Sequence, residues 1–330
     1  MKIRHFLYNS FLIEDGKNKI AIDPGQYFSI FKFTSLIPKA DWKSTTHVLI
    51  THGDPDHHWQ SDRVAEASNA PVVCGKDLAK FEDGKTLLVD PRGKELTSWV
   101  PFENVHPLDV GESVTLGDVE IEAVKSVHGP IIVPILWFKV KKQPGPGERT
   151  GIGSVGFKIK LDGKTIVNLG DSILQKEWEG LEPDVLMLPI GGLGDNTWTM
   201  DVSDALEAVK LIAPKKVIPC HYNVPFLWIK NIAPADGELF KREVEKLGIE
   251  CNIMQHGDEI AHCDLSSAGQ HNALNAAAAI IAAAHAGVSI QDAAAQLATY
   301  QGVARRFELL GATAGVVVVD DYAHHPTQIR

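Results

Sequence analysis

The run Thr51-His52-Gly53-Asp54-Pro55-Asp56-His57-His58 follows directly on His47–Thr51, an apolar, β-branched stretch of the kind buried on both faces of a sheet. Four potential metal ligands, His52, Asp54, Asp56 and His57, fall within six residues where a strand pattern gives way to a helix pattern. Spacings of two suit a strand end and tight turn that aim alternate side chains to one side. Clustered neutral and anionic donors on rigid backbone are the ordinary makings of a metal site. The chain must therefore fold around a strand end that gathers charge.

Three later positions repeat the logic. His128 ends a strand over Glu120–Val127, Asp171 follows the strand Thr165–Leu169, and His221 follows the strand Lys216–Pro219. Strand ends along one sheet edge are where sites assemble in layered α/β folds. Any one of these residues alone reads as a turn former; their recurrence favours a shared site. Cys220 adjoins His221, and neighbours in a strand point to opposite faces, so Cys220 is expected in the core. His58 is expected outside the ligand set, and His5, His47 and His106 read as surface or core histidines. Asp23, in Ile22-Asp23-Pro24-Gly25, is a candidate to support a ligand histidine or to cap a turn.

The flanking sequence supplies elements for such a fold. Strands are expected over Ile3–Leu7, Ser10–Glu14, Lys19–Asp23, Pro71–Cys74, Val185–Pro189 and Cys251–Met254. Asp-Gly and Gly-Asp pairs mark hairpins that join Val114–Leu116 to Val119–Val124, and Val155–Leu161 to Lys164–Leu169. Helices are expected over Gln60–Ser68, Val202–Ile212 and Gly237–Leu247. Lys142–Ile152 is rich in Gly and Pro and reads as a loop. Trp59, Trp137, Trp198 and Trp228 are candidates to line a pocket, although aromatics more often fill cores.

Composition shifts near residues 262–268. Lys246 is the last lysine, and 13 of the 30 residues from 271 to 300 are alanine. A first domain over 1–262, a junction over 263–267 and a separate segment over 268–330 are expected. That segment reads as two Ala-rich helices, Ala268–Ala286 and Ile290–Thr299, and a short strand over Val316–Val319.

With a net charge of -10 the chain is a poor partner for nucleic acid. Its four scattered cysteines form no CxxC pair and read as reduced thiols. The N-terminus lacks an apolar stretch of signal-peptide length, and no stretch approaches a membrane span. A cytoplasmic protein with a small-molecule substrate, no membrane partner and room for homo-oligomers is expected.

The motif THGDPDHH resembles the HxHxDH motif of the metallo-β-lactamase superfamily, and His128, Asp171 in NLGDS and His221 in IPCHY match its later motifs in order. NSFLIEDG, IAIDPG, LPIGG and KVIPCHY are similar to the ascorbate-6-phosphate-lactonase-like metal-dependent hydrolases. The resemblance covers about residues 1–260. It implies an α/β fold, a four-layer αββα sandwich, and two divalent metal ions. His52, Asp54 and His128 would hold one ion, Asp56, His57 and His221 the other, with Asp171 bridging. It also implies hydrolysis of an ester, lactone or phosphoester by a metal-bound hydroxide, with Asp56 and His256 as catalytic candidates. Asp54 stands where the motif usually has His, which admits Mn²⁺ or Fe²⁺ beside Zn²⁺. The alternative is a non-catalytic binding module with a degraded site.

The tail resembles a second family. GQHNALNA (269–276), GVARRFE (302–308) and DDYAHHPT (320–327) are similar to Mur ligases of the UDP-N-acetylmuramate–L-alanine ligase type. That resemblance places Asn272, Asn275, Arg306 and Asp321 near a nucleotide, and His324 and His325 in a nucleotide-site loop. A ligase also needs the phosphate loop GxxxxGK[ST], which this sequence lacks, so a complete ligase is not expected.

Overall fold

In the computed structural model the described residues are 1–28, 33–82, 85–88, 104–135, 138–142, 151–194, 197–224, 233–254, 270–300, 308–313 and 316–320. The chain divides into two compact units, Met1–His256 and Gly257–Arg330.

The first unit is built on two sheets. One has six strands, in spatial order Lys2–His5, Phe11–Glu14, Lys19–Ile22, His47–Ile50, Val72–Gly75 and Val105–Leu108. Its first three strands pair antiparallel and the rest parallel. The other has seven: Ser113–Leu116, Val119–Lys125, Val155–Leu161, Lys164–Asn168, Val185–Pro189, Lys216–Cys220 and Glu250–Cys251. It too starts with antiparallel hairpins and continues with parallel strands.

Side-chain alternation decides how these sheets stack. In Val119–Lys125 the buried Val119, Ile121 and Ala123 alternate with partly exposed Glu120 and Glu122. The inward set meets Phe157, Ile159, Ile166 and Met187 of its own sheet and Phe11, Ile13, Ile20, Ile22 and Leu49 of the other, forming one core between the sheets. The central strands His47–Ile50, Val72–Gly75 and Val185–Pro189 are buried along their whole length. Their second faces are covered as well. Val64 and Ala65 of the helix Ser61–Ser68 pack on Val48, Ile50 and Val72. Ala205, Ala208, Val209 and Ile212 of Val202–Ile212, with Phe240 and Val244 of Gly237–Lys246, pack on Leu186, Leu188 and Val217. The result is the expected mixed α/β sandwich with a helix layer outside each sheet. Asp201 and Asp236 cap the two latter helices, accepting from the amides of Asp204 and Leu239.

Most expected strands and helices form within one or two residues of their predicted ends. The expected strand Cys251–Met254 shrinks to Glu250–Cys251, which pairs only with Lys216 and Val217. The expected strand Glu120–Val127 ends at Lys125, so His128 stands three residues past the strand. Of the loop Lys142–Ile152, residues 143–150 lie outside the described residues.

The second unit contains the helices Gln270–His285 and Ile290–Ala298, the latter capped by Ser289, which accepts from the Asp292 amide. The expected single strand is a hairpin: Glu308–Thr313 pairs antiparallel with Val316–Asp320, with a register break between Leu309 and Gly311. Asn272 lies in the first helix, whereas Arg306, Asp321, His324 and His325 lie outside the described residues.

Candidate metal centre

Parallel strands bring the predicted ligands to one end of the sandwich. Val119–Lys125, Lys164–Asn168 and Lys216–Cys220 run in the same direction through their shared sheet, so His128, Asp171 and His221 leave it at one edge. His52 to His57 leave the facing sheet after His47–Ile50. Pro55 opens a four-residue helix, Pro55–His58, its fixed φ suiting the first helical position. Asp54 stands at the N-cap but makes no capping hydrogen bond, which leaves its carboxylate for the site.

All seven predicted ligands converge. The donor atoms of His52, Asp54 and His128 lie within 4.8 Å of one another, as do those of Asp56, His57 and His221, and those of His52, His57 and Asp171. The Asp54 carboxylate is 3.5 Å from Nε2 of both His52 and His128. Asp56 stands 3.4 Å from His57 Nε2 and 3.5 Å from His221 Nε2. Asp171 Oδ2 is 3.1 Å from His221 Nε2 and 3.6 Å from His57 Nε2. His256 lies outside the described residues.

In His52, His57 and His128 the ring nitrogen facing away from this cluster is engaged, whereas Nδ1 of His221 makes no hydrogen bond. His57 Nδ1 donates to Asp23 Oδ2 at 2.8 Å, and His128 Nδ1 to the Gly129 carbonyl at 2.7 Å. His52 Nδ1 is 3.1 Å from Thr51 Oγ1, whose own proton goes to Asp23. With Nδ1 so engaged, the Nε2 atoms of His52, His57 and His128 face carboxylate oxygens. The buried Nε2 atoms of His52, His57 and His221 and Oδ1 of Asp171 make no well-aligned hydrogen bond. Carboxylates 3.1–3.6 Å from His221 and His57 call for a positive charge between, supplied by a proton on each ring or by a metal ion bound through Nε2. The residues present therefore fit divalent ions.

Backbone details support the cluster. Gly151 N–H donates to Asp54 Oδ1 at 3.1 Å, leaving Oδ2 to face the imidazoles. His221 holds φ 52°, a left-handed conformation that costs a non-glycine residue roughly 1–2 kcal/mol and turns the chain sharply at the site. Gly25 lies against the ligand helix, where an added Cβ would stand 1.7 Å from the Asp56 carbonyl oxygen. Gly25→Ala is expected to displace Asp56 and His57 and to destabilise the protein by about 3 kcal/mol or more, the upper end for overpacking. Thermal denaturation with metal content checks this, and an unchanged melting temperature would contradict it.

Other sequence readings resolve plainly. Cys220 is buried in the core between the sheets, with burial and then Asp171 pushing its thiol well above the usual range, and it joins none of the donor groups. His58 Nδ1 contacts the Asp54 carbonyl at 3.0 Å and likewise joins none. His5 contacts the Tyr8 carbonyl, His47 is buried beside Leu116, and His106 contacts Asn104. Trp59 and Trp198 are half-buried, and Trp137 and Trp228 lie outside the described residues.

The model of the β-lactamase superfamily domain matches residues 2–221. A UPF0173 metal-dependent hydrolase of Nanoarchaeum equitans is 32% identical over 266 residues, spanning 79% of this chain and 99% of that protein. The chain belongs to the β-lactamase superfamily, in the UPF0173 metal-dependent hydrolase family. Another relative so named, from Pyrobaculum islandicum, is 31% identical over 268 residues, with 79% and 99% coverage. Among solved structures, Igni18, a metallo hydrolase of Ignicoccus hospitalis, shares the fold with a TM-score of 0.54 at 24% identity, covering 78% of this chain and 95% of that one. The chain is an enzyme, a metallo-β-lactamase-fold hydrolase. Among its described residues no helix is long and apolar enough to cross a membrane.

The charges of this hydrolase's centre are tightly balanced without metal. Burial alone would push His221 down, but Asp171 and Asp56 outweigh it and raise it to about 9. Burial opposes charge on Asp171 too, yet His221 and His57 hold it well below the usual carboxylate range. His57 is raised well above its usual value by Asp56, Asp171 and Asp23 against the effect of burial. A raised histidine stabilises the metal-free fold fully below its unfolded value of 6.5, and this contribution is lost as pH climbs through about 9. Chelated protein should therefore melt at a lower temperature at pH 9 than at pH 6.5. A divalent ion bound through His221 Nε2 would have to displace the same proton, so Zn²⁺ affinity should rise between those pH values, by up to about tenfold per unit per proton. Calorimetric titration at three pH values measures this, and a flat profile would contradict it.

Proposed function

We propose that this enzyme is a two-metal hydrolase of small esters, lactones or phosphoesters. One ion would be held by His52, Asp54 and His128, the other by Asp56, His57 and His221, with Asp171 between them. The observation that carries the reading is the set of buried Nε2 atoms, on His52, His57 and His221, directed at carboxylates with no aligned hydrogen bond. Divalent ions held there would lower the pKa of a water to about 7 and polarise the scissile bond. Asp56 stands close enough to the centre to orient that water or take its proton, and His256 is the candidate to protonate the leaving group.

Zn²⁺ suits the imidazoles, and the carboxylate of Asp54 suits Mn²⁺ or Fe²⁺ as well. A cavity of about 580 Å³ beside His221 and Tyr222 is of a size for a small molecule. Resemblance to the ascorbate-6-phosphate-lactonase-like group favours a lactone or phosphoester. Residues 1–262 would form the hydrolase domain and 263–267 the junction. Residues 268–330 would be a partial Mur-ligase-like segment without ligase activity.

The experiment is a panel of lactones, carboxylic esters and phosphodiesters assayed with purified, chelated and Zn²⁺- or Mn²⁺-reloaded protein. Activity lost on chelation and regained on reloading is expected. Activity that survives full chelation would overturn the reading.

A further inference from the structure

One fully buried side chain, Asn9, touches the supports of three ligands on three strand ends. It lies in the turn between Lys2–His5 and Phe11–Glu14. Its amide Nδ2 donates to Asp23 Oδ2 at 2.7 Å and to Asn168 Oδ1 at 2.9 Å. Its Oδ1 accepts from Asn168 Nδ2 at 3.0 Å and from the Cys220 thiol at 3.4 Å. Both donor protons and both acceptor directions of the amide are therefore used.

Each contact leads to one ligand. Asp23 accepts from His57 Nδ1 and from the amide and hydroxyl of Thr51. Asn168 Oδ1 also accepts from the Gly170 amide, one residue before Asp171. Cys220 precedes His221, and the His221 amide donates to the carbonyl of Tyr8, next to Asn9. His57, Asp171 and His221 are the ligands that face one another across 3.1–3.6 Å. Asp54 and His128 lean on other groups, the Gly151 amide and the Gly129 carbonyl.

We propose that Asn9 is a positioning residue for one metal position, locking His57, Asp171 and His221 from the two sheets into one register. This rests on the proposed metal assignment. A saturated buried amide holds its partners more rigidly than packing alone, because moving any one of them orphans a polar group elsewhere in the network. Asn9 touches no substrate and no reacting atom, so it acts only through the ligands. Groups that orient metal ligands in this way typically contribute about 10–100-fold in metal affinity.

The test is Zn²⁺ titration of the chelated full chain, read by competition with a chromophoric chelator, for wild type, Asn9→Ala and Asn168→Ala. Asn168→Ala cuts the Asp171 arm and leaves the Asn9–Asp23 bond. Wild type should take up two equivalents. Both variants should lose about 10–100-fold at the position of Asp56, His57 and His221, and less at the other, which shares only Asp171 with it. Two wild-type-like equivalents in either folded variant would overturn the proposal. If wild type itself binds no Zn²⁺, the metal assignment falls rather than the role of Asn9. Should neither variant fold, wild type labelled with ¹⁵N at asparagine decides. The Asn9 side-chain amide protons should shift and gain protection from exchange as Zn²⁺ is added. A spectrum unchanged by Zn²⁺ would overturn the proposal.

Discussion

Asp171→Ala should reduce hydrolysis by about three orders of magnitude, roughly 4 kcal/mol of transition-state stabilisation. Asp171 is 4% exposed and its Oδ2 faces both His221 and His57, so its loss removes the carboxylate that ties the two rings together. The variant should still fold, since Asp171 Oδ1 makes no hydrogen bond and the two rings that lose Oδ2 remain beside Asp56. Steady-state kinetics with metal analysis and a melting curve separate the effects. Asp171→Asn should restore little, because a neutral amide cannot offset the charge of two imidazolium rings or two cations. Activity within tenfold of wild type in Asp171→Ala would remove Asp171 from the centre.

Asp23→Ala should instead act on the fold. Asp23 is fully buried and accepts from the Thr51 amide, the Thr51 hydroxyl, the Asn9 amide and His57 Nδ1, at 2.6–2.8 Å. Truncation leaves four buried donors facing a void, at about 1–3 kcal/mol each before relaxation. A loss of about 4 kcal/mol or more is expected, a large fraction of the roughly 5–15 kcal/mol that holds a typical domain. Asp23→Asn keeps the shape, but its amide NH₂ must confront at least one of the same donors. It should be milder in stability yet should still weaken metal binding through His57. Urea denaturation of the three proteins gives the order, and a melting midpoint for Asp23→Ala equal to wild type would refute the role.

The sequence made the sandwich and the convergence of the seven candidate side chains legible for a specific reason. Alternation in Val119–Lys125 and the unbroken apolar runs His47–Ile50 and Val185–Pro189 each state how many faces are buried. Ligands at the ends of such strands inherit their placement from the sheet. Where periodicity is weak, the reading fails. Val105–Leu108 carries a proline and a histidine, and Glu308–Thr313 carries a glycine at a register break, so neither stands out as a strand. Glu250–Cys251 pairs over only two residues, which propensity cannot foresee.

The supports of the centre were mostly invisible for another reason. Asn9, in Tyr8-Asn9-Ser10, reads as an ordinary turn residue, and its partner Asn168 is 159 positions away. Gly151 contributes a backbone amide, a donor that every residue but proline carries and no motif records. Asp23 had a local signal in the Asp-Pro-Gly turn after a buried strand, whereas Asn9 and Asn168 stood only as the first letters of the motifs NSFLIEDG and NLGDS.

Anomalous diffraction at the zinc edge, from crystals grown with Zn²⁺, tests the central claim most directly. Two peaks about 3.5–4 Å apart are expected, one among His52, Asp54 and His128 and one among Asp56, His57 and His221, with Asp171 touching both. No peak within ligating distance of these side chains would contradict it.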